Sequence, residues 1–155
     1  KTGLIFRALI RIFRDYQIVA ISGKNKKMFL KFNELVESYG VSDRVKVLDY
    51  TDKVPELMHI SSIVVTKPGG LTTTESLASG LPIIVINPIP GQEEENASFL
   101  VNNGVAVWVK DDDNVARIFK DLYRHPEKIE KMQRCIPNLS RPNSTEDICK
   151  ILMNS

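Results

Sequence analysis

Residues 66–96 read T-K-P-G-G-L-T-T-T-E-S-L-A-S-G-L-P-I-I-V-I-N-P-I-P-G-Q-E-E-E-N, and this stretch decides the fold. It opens at the end of an apolar run, Ser62-Ile63-Val64-Val65-Thr66, and turns at Pro68-Gly69-Gly70. A helix follows, then a second β-rich run from Pro82 to Asn87. The loop Pro88 to Gln92 leads into another helix. Two strand-to-helix turns therefore follow one another, both rich in Gly, Pro and hydrogen-bonding side chains. In an open parallel sheet such turns lie at the carboxyl ends of the strands, where ligands bind. Glycine lets backbone approach a ligand, and exposed amides at a helix start favour an anion. The pattern points to a nucleotide-diphosphate site.

The same alternation extends in both directions. Strands are expected at Gln17 to Ser22, Arg44 to Leu48, Ser62 to Thr66, Pro82 to Asn87 and Val105 to Val109. Helices are expected at Lys27 to Tyr39, Val54 to His59, Thr72 to Ser79, Glu93 to Asn103 and Asp113 to Arg124, with Gly40 and Gly104 as stops. The result is an α/β chain with a Rossmann-like parallel sheet and helices on both faces. Uninterrupted apolar runs such as Ile83-Ile84-Val85-Ile86 agree, because parallel strands are buried on both sides. Beyond Pro126 come a helix from Glu127 to Cys135, a Pro/Asn/Ser-rich break from Pro137 to Ser144, and a last helix from Thr145 to Met153. At the other end Leu4, Ile5, Leu9, Ile10, Ile12 and Phe13, with Arg7, Arg11 and Arg14 between them, form an amphipathic helix. It covers a face of the sheet or, in the alternative, lies on a membrane.

The 155 residues suit one domain with a single core. Lys and Arg exceed Asp and Glu by 21 to 19, too narrow a margin to argue for nucleic acid. Two cysteines and two histidines offer no metal-site spacing, and the inventory fits a reduced, cytoplasmic setting. No apolar run approaches the roughly 18 to 20 residues of a spanning helix. The P-loop spacing and the dinucleotide fingerprint are both missing. His59, His125, Cys135, Cys149 and Trp108 have no partner at useful spacing and are assigned to core or surface.

Several clusters carry possible chemistry. Ser22-Gly23-Lys24-Asn25 ends the first strand and reads either as a plain turn or as amides, hydroxyl and cation for a phosphate. Asp49-Tyr50-Thr51-Asp52-Lys53-Val54 ends the second; it holds a flat base, or Thr51 or Asp52 simply caps the next helix. Gly69-Gly70 with Thr72-Thr73-Thr74 supplies more hydroxyls than one cap needs. Glu75 either suits the helix dipole or accepts bonds from ribose hydroxyls. Gln92 and Asn96, four apart, share a helix face, and amides that donate and accept together suit sugar hydroxyls.

Taken together, K-P-G-G-L-T-T-T-E-S-L-A-S-G-L-P and P-G-Q-E-E-E-N resemble the glycosyltransferase family of processive diacylglycerol glucosyltransferases and monogalactosyldiacylglycerol synthases. That family also contains the lipid II-forming N-acetylglucosaminyltransferase. The resemblance runs from about Tyr16 onward. It implies the carboxyl-terminal, UDP-sugar-binding half of a two-domain GT-B enzyme, with the amino-terminal acceptor domain absent. It places Ser22, Gly23, Lys24, Gly69, Gly70, Thr72 and Thr73 at the diphosphate. Tyr50, Thr51 and Val54 would surround uracil, Glu75 the ribose, and Gln92, Glu93 and Asn96 the donor sugar.

The implied chemistry is inverting transfer of a hexose from UDP-glucose or UDP-galactose to diacylglycerol, with no cofactor and no obligatory metal. No catalytic residue is expected in this chain, since the general base would come from the acceptor domain. The chain alone would bind donor without turnover. The full-length enzyme would sit in the cytoplasm, peripheral at the inner face of the membrane. Rival readings are the lipid II-forming transferase, a non-hydrolysing UDP-sugar epimerase, and a silent nucleotide-sugar sensor. The Pro68-Gly69-Gly70 turn and the Pro-Gly-Gln-Glu run favour the glycerolipid branch.

Overall fold

The computed structural model describes residues 2–110 and 112–140. In chain order the elements are α1 (Thr2–Ile12), β1 (Ile18–Ile21), α2 (Lys26–Tyr39), β2 (Val45–Leu48), α3 (Val54–Ile60), β3 (Val64–Thr66), α4 (Gly70–Ala78), β4 (Ile83–Ile86), α5 (Gln92–Asn102), β5 (Ala106–Val109), α6 (Asp112–Arg124) and α7 (Pro126–Ser140). The chain is α/β with parallel strands throughout, as its alternating pattern requires. It divides into two compact units: one takes the chain up to Lys53 and then α6, the other takes Val54–Lys110 and α7.

In the first unit β1 pairs with β2 in parallel, from Ile18 opposite Val45 to Ile21 opposite Leu48. α1 turns Ile5, Phe6 and Ile10 inward and leaves Arg7 and Arg11 in solvent. Of the two readings of this amphipathic helix, its apolar face covers protein. Phe6 stacks on Phe32 of α2 at 4.4 Å between ring centroids, inside a core that includes Leu35, Val36 and Val45. Phe13, just past α1, meets Phe119 of α6 edge-on at 5.7 Å. The last carbonyls of a helix lack intrahelical donors, and Phe13 O finds one in Tyr16 N at 3.1 Å. Arg44 supplies others, its guanidinium donating to Ile10 O at 2.7 Å and Phe13 O at 3.2 Å. Asn25 caps α2 by accepting from Met28 N at 3.0 Å, and Gly40 closes it in the left-handed region at φ 62°.

In the second unit the order is β3-β4-β5, all parallel. All four residues of central β4 are buried, which is why the sequence there is apolar without alternation. The core joins Ile83 and Val85 to Leu77 of α4, Ala97 and Leu100 of α5, and Ile136 and Leu139 of α7.

The hydrogen-bonded strands are β1-β2 in the first unit and β3-β4-β5 in the second. Periodicity identifies strands but does not record their neighbours. One expectation needs correction. Pro137 does not break the last described helix, since α7 runs through it to Ser140. Proline removes one helical hydrogen bond and crowds the preceding turn. Ile136 and Leu139 on either side of it are 3 % exposed, and their burial outweighs that local preference. The expected helix from Thr145 to Met153, with Cys149, lies outside the described residues. No helix among the described residues is long and apolar enough to cross a membrane.

Candidate functional site

The second unit brings the two turns of residues 66–96 to one edge of its sheet. β3 and β4 are paired and parallel, so α4 and α5 both start at the carboxyl end of the sheet. Neither start is closed by a side chain. The residue before α4 is Gly69, at φ −74° and ψ 152°, with no side-chain cap bond. Gly91 precedes α5, at φ 100° and ψ −118°, again with no side-chain cap bond. The first amide bond of α4 is Thr73 N to Gly69 O at 2.9 Å, which leaves the amides of Gly70, Leu71 and Thr72 unbonded among the described residues.

Gly69 is informative for what does not require it. Its φ is ordinary for any residue, and a Cβ there would meet nothing within 4 Å. A helix start usually carries Ser, Thr, Asp or Asn, whose oxygen accepts from these amides. Neither backbone strain nor internal packing accounts for glycine at this position. Gly91 differs, because φ 100° is a conformation that side chains resist.

The hydroxyls beyond Gly70 divide into three groups. Thr74 Oγ1 donates back to Gly70 O at 2.9 Å and Ser76 Oγ to Thr72 O at 2.7 Å. Thr73 is 2 % exposed, and its Oγ1 has no hydrogen-bond partner among the described residues. A buried orphan of this kind costs about 1–3 kcal/mol, so folding alone does not explain its presence. Thr72 is half-buried beside the unbonded amides. Glu75 is half-buried one turn further on, and its carboxylate has no bonded partner among the described residues.

A hydrogen-bond chain joins the two turns. Asn96 of α5, 7 % exposed, donates through Nδ2 to Pro68 O at 2.9 Å. Its Oδ1 accepts from Gln92 Nε2 at 3.1 Å, so the two amides do share one helix face. Gln92 is exposed. Glu93 Oε1 accepts from Ile89 N at 2.9 Å, which shapes the loop before α5. The link from Asn96 to Pro68 crosses 28 residues and has no local signature.

In the first unit, Ser22 is 8 % exposed and its hydroxyl donates to Leu48 O at 3.3 Å, tying the end of β1 to the end of β2. Gly23 takes φ 61° and donates its amide to Asp49 O at 3.1 Å. Lys24 and Tyr50 are exposed, Tyr50 to 68 %. Thr51 Oγ1 accepts from Lys53 N at 3.1 Å, a local turn bond that precedes the first residue of α3. Val54, at the start of α3 in the second unit, is half-buried.

The residues set aside at the sequence level have ordinary surroundings where they are described. His59 is exposed, and His125 Nδ1 lies 3.0 Å from Glu127 Oε1 at the surface. Cys135 and Trp108 pack against the second unit's core. Among the described residues no three His, Cys, Asp or Glu side chains gather as a metal site.

Residues 6–139 match the family described as glycosyl transferases group 1. The chain is similar to the processive diacylglycerol beta-glucosyltransferase of Bacillus subtilis (strain 168), 34 % identical over 137 residues. That alignment covers 88 % of this chain and 35 % of the relative. The enzyme of the same name from Bacillus pumilus (strain SAFR-032) is 33 % identical over 134 residues, covering 86 % of this chain and 34 % of its own length. The chain thus spans about a third of the length of these relatives. Among solved structures, Anabaena HepE in complex with UDP-glucose superposes with a TM-score of 0.65 at 16 % identity, over 98 % of this chain and 44 % of that one. Phytolacca americana UGT2, complexed with UDP-2fluoro-glucose and pterostilbene, gives 0.66 at 17 %, over 99 % and 38 %. At such identities these likenesses establish the shared fold.

Proposed function

The chain belongs to the group 1 glycosyl transferases, and on that premise we propose that it binds the UDP-sugar donor of an enzyme that glycosylates diacylglycerol. The observation that carries this reading is the pair of uncapped helix starts, α4 and α5, on adjacent strands, with Gly69 open where a capping side chain would stand. Such a corner suits a diphosphate, because amide dipoles and the positive end of each helix stabilise anionic oxygen. The names of the similar enzymes support the hexose and the lipid acceptor. The nucleotide sugars held by structures of the same fold support the donor class.

In the second unit, Gly69, Gly70, Thr72 and Thr73 are the proposed diphosphate residues and Glu75 the ribose acceptor. Gln92 and Glu93 face the sugar, with Asn96 behind them, and Val54 belongs to the uracil. In the first unit, Ser22, Gly23 and Lys24 are proposed for the diphosphate, and Tyr50 and Thr51 for the base. The acceptor hydroxyl oxygen attacks the anomeric carbon and its proton passes to a base outside this set. The bond from that carbon to UDP breaks with its electron pair going to the diphosphate. The free amides of α4 stabilise that developing charge without needing a metal. The whole protein acts at the inner face of the membrane, where its acceptor lies.

A thermal-shift panel with EDTA present tests the reading. UDP, UDP-glucose and UDP-galactose should raise the melting temperature with the logarithm of ligand concentration, and GDP should not. Binding of UDP only after magnesium or manganese is added would overturn the metal-free site. A response confined to UDP-N-acetylglucosamine would move the acceptor to the lipid II branch.

A further inference from the structure

Resting on that reading, we infer that Asn96 is a positioning residue that holds the diphosphate turn and the sugar-facing glutamine in one register, and not a ligand of the sugar. Both ends of its side chain are engaged inside the chain. Nδ2 donates to Pro68 O, directly before the two glycines, and Oδ1 accepts from Gln92 Nε2. With only 7 % of the residue exposed, it has little surface to offer a substrate. Gln92 is exposed and keeps its own amide oxygen for a hydroxyl group.

The arrangement fixes polarity as well as position. Pro68 O requires a donor, so the amide nitrogen of Asn96 faces α4 and its oxygen faces Gln92. That leaves Gln92 only one way to join, with its nitrogen inward and its oxygen outward. The segment before the free amides of α4 has two interior anchors of its own: Pro68 is buried, and Gly69 N donates to Lys67 O at 2.9 Å. The bond from Asn96 is what connects that segment to α5. Losing it should loosen the amides that meet the diphosphate, and losing Gln92 should not.

The test compares Asn96→Ala, Asn96→Asp and Gln92→Ala in the 155-residue chain. Aspartate matches asparagine in size and still accepts from Gln92, but it cannot donate to Pro68 O. It therefore decides the matter if the alanine variant fails to fold. Calorimetry should find both Asn96 variants about tenfold weaker for UDP as well as for UDP-glucose, the scale of one lost buried hydrogen bond. Gln92→Ala should weaken UDP-glucose alone. Hydrogen exchange of the ligand-free chain should show faster exchange at the bonded amides of Gly69 and Thr73 in the Asn96 variants, beyond any change in core amides, and no such change in Gln92→Ala.

Folded Asn96 variants that bind UDP normally and lose only UDP-glucose would make Asn96 a sugar ligand and overturn the inference. Normal UDP affinity with merely lowered global stability would overturn it too. If the parent chain binds neither nucleotide, the functional reading falls, and unchanged exchange at Gly69 and Thr73 would separately reject the strut.

Discussion

Glu75 is the residue at which a structural and a functional role diverge most cleanly. It is half-buried one turn inside α4, and no partner among the described residues engages its carboxylate. As a favourable charge near a helix start it would contribute about 0.3–1 kcal/mol of stability and nothing specific to a ligand. As the acceptor of two ribose hydroxyls it would contribute hydrogen bonds to a charged group, roughly 1.5–3 kcal/mol of binding. Glu75→Gln should therefore weaken UDP strongly and leave 2′,3′-dideoxy-UDP almost unchanged. Measuring both nucleotides against both proteins isolates the coupling. Equal losses for the two ligands would return Glu75 to the dipole role. Ser22 differs in having a partner inside the chain. In sequence it reads as part of a plain turn or of a phosphate loop, and in the fold its hydroxyl donates to Leu48 O. Whether a hydroxyl is free depends on a carbonyl 26 residues away, which local sequence does not contain.

At the level of elements, what the sequence makes legible is what repeats locally. The apolar run of β4, the glycine stop of α2 and the paired Gly-rich turns all follow from short-range pattern, and all appear in the fold. The extent of α7 was not legible, because Pro137 argues for a stop and only the burial of its neighbours argues against one. The closure of α1 was hidden for a similar reason: its terminal carbonyls find Arg44, more than thirty residues on. That contact is open to test. Arg44→Ala should destabilise the chain by about 1.5–3 kcal/mol in urea denaturation, since a charged donor is lost and Ile10 O loses its partner, while Phe13 O keeps Tyr16 N. Arg44→Lys should recover less than half of the loss, because an ammonium cannot reproduce the guanidinium fork. A loss below about 0.5 kcal/mol, the range of ordinary surface substitutions, would show that the carbonyls find other partners.

For the whole molecule, the class of fold and the candidate corner were readable from residues 66–96, while the division into two units was not. That division depends on α6 packing on α1, a pairing of segments about a hundred residues apart. The glycine at position 69 has a further consequence for anyone who would improve this protein. By every local rule of helix design it is a vacancy, since its backbone admits any side chain and the space beside it is empty. Gly69→Asp should raise thermal stability, with roughly 0.4–1 kcal/mol from the reduced freedom of the unfolded chain and a few tenths more from the new cap. The same carboxylate would occupy the amides offered to the diphosphate and repel it. Calorimetry should find UDP binding lost in the more stable protein, and retained affinity would mean that the nucleotide sits elsewhere. Selection for robustness and selection for catalysis thus pull one position in opposite directions. An optimiser scoring only the empty chain would accept the inactivating change as an improvement.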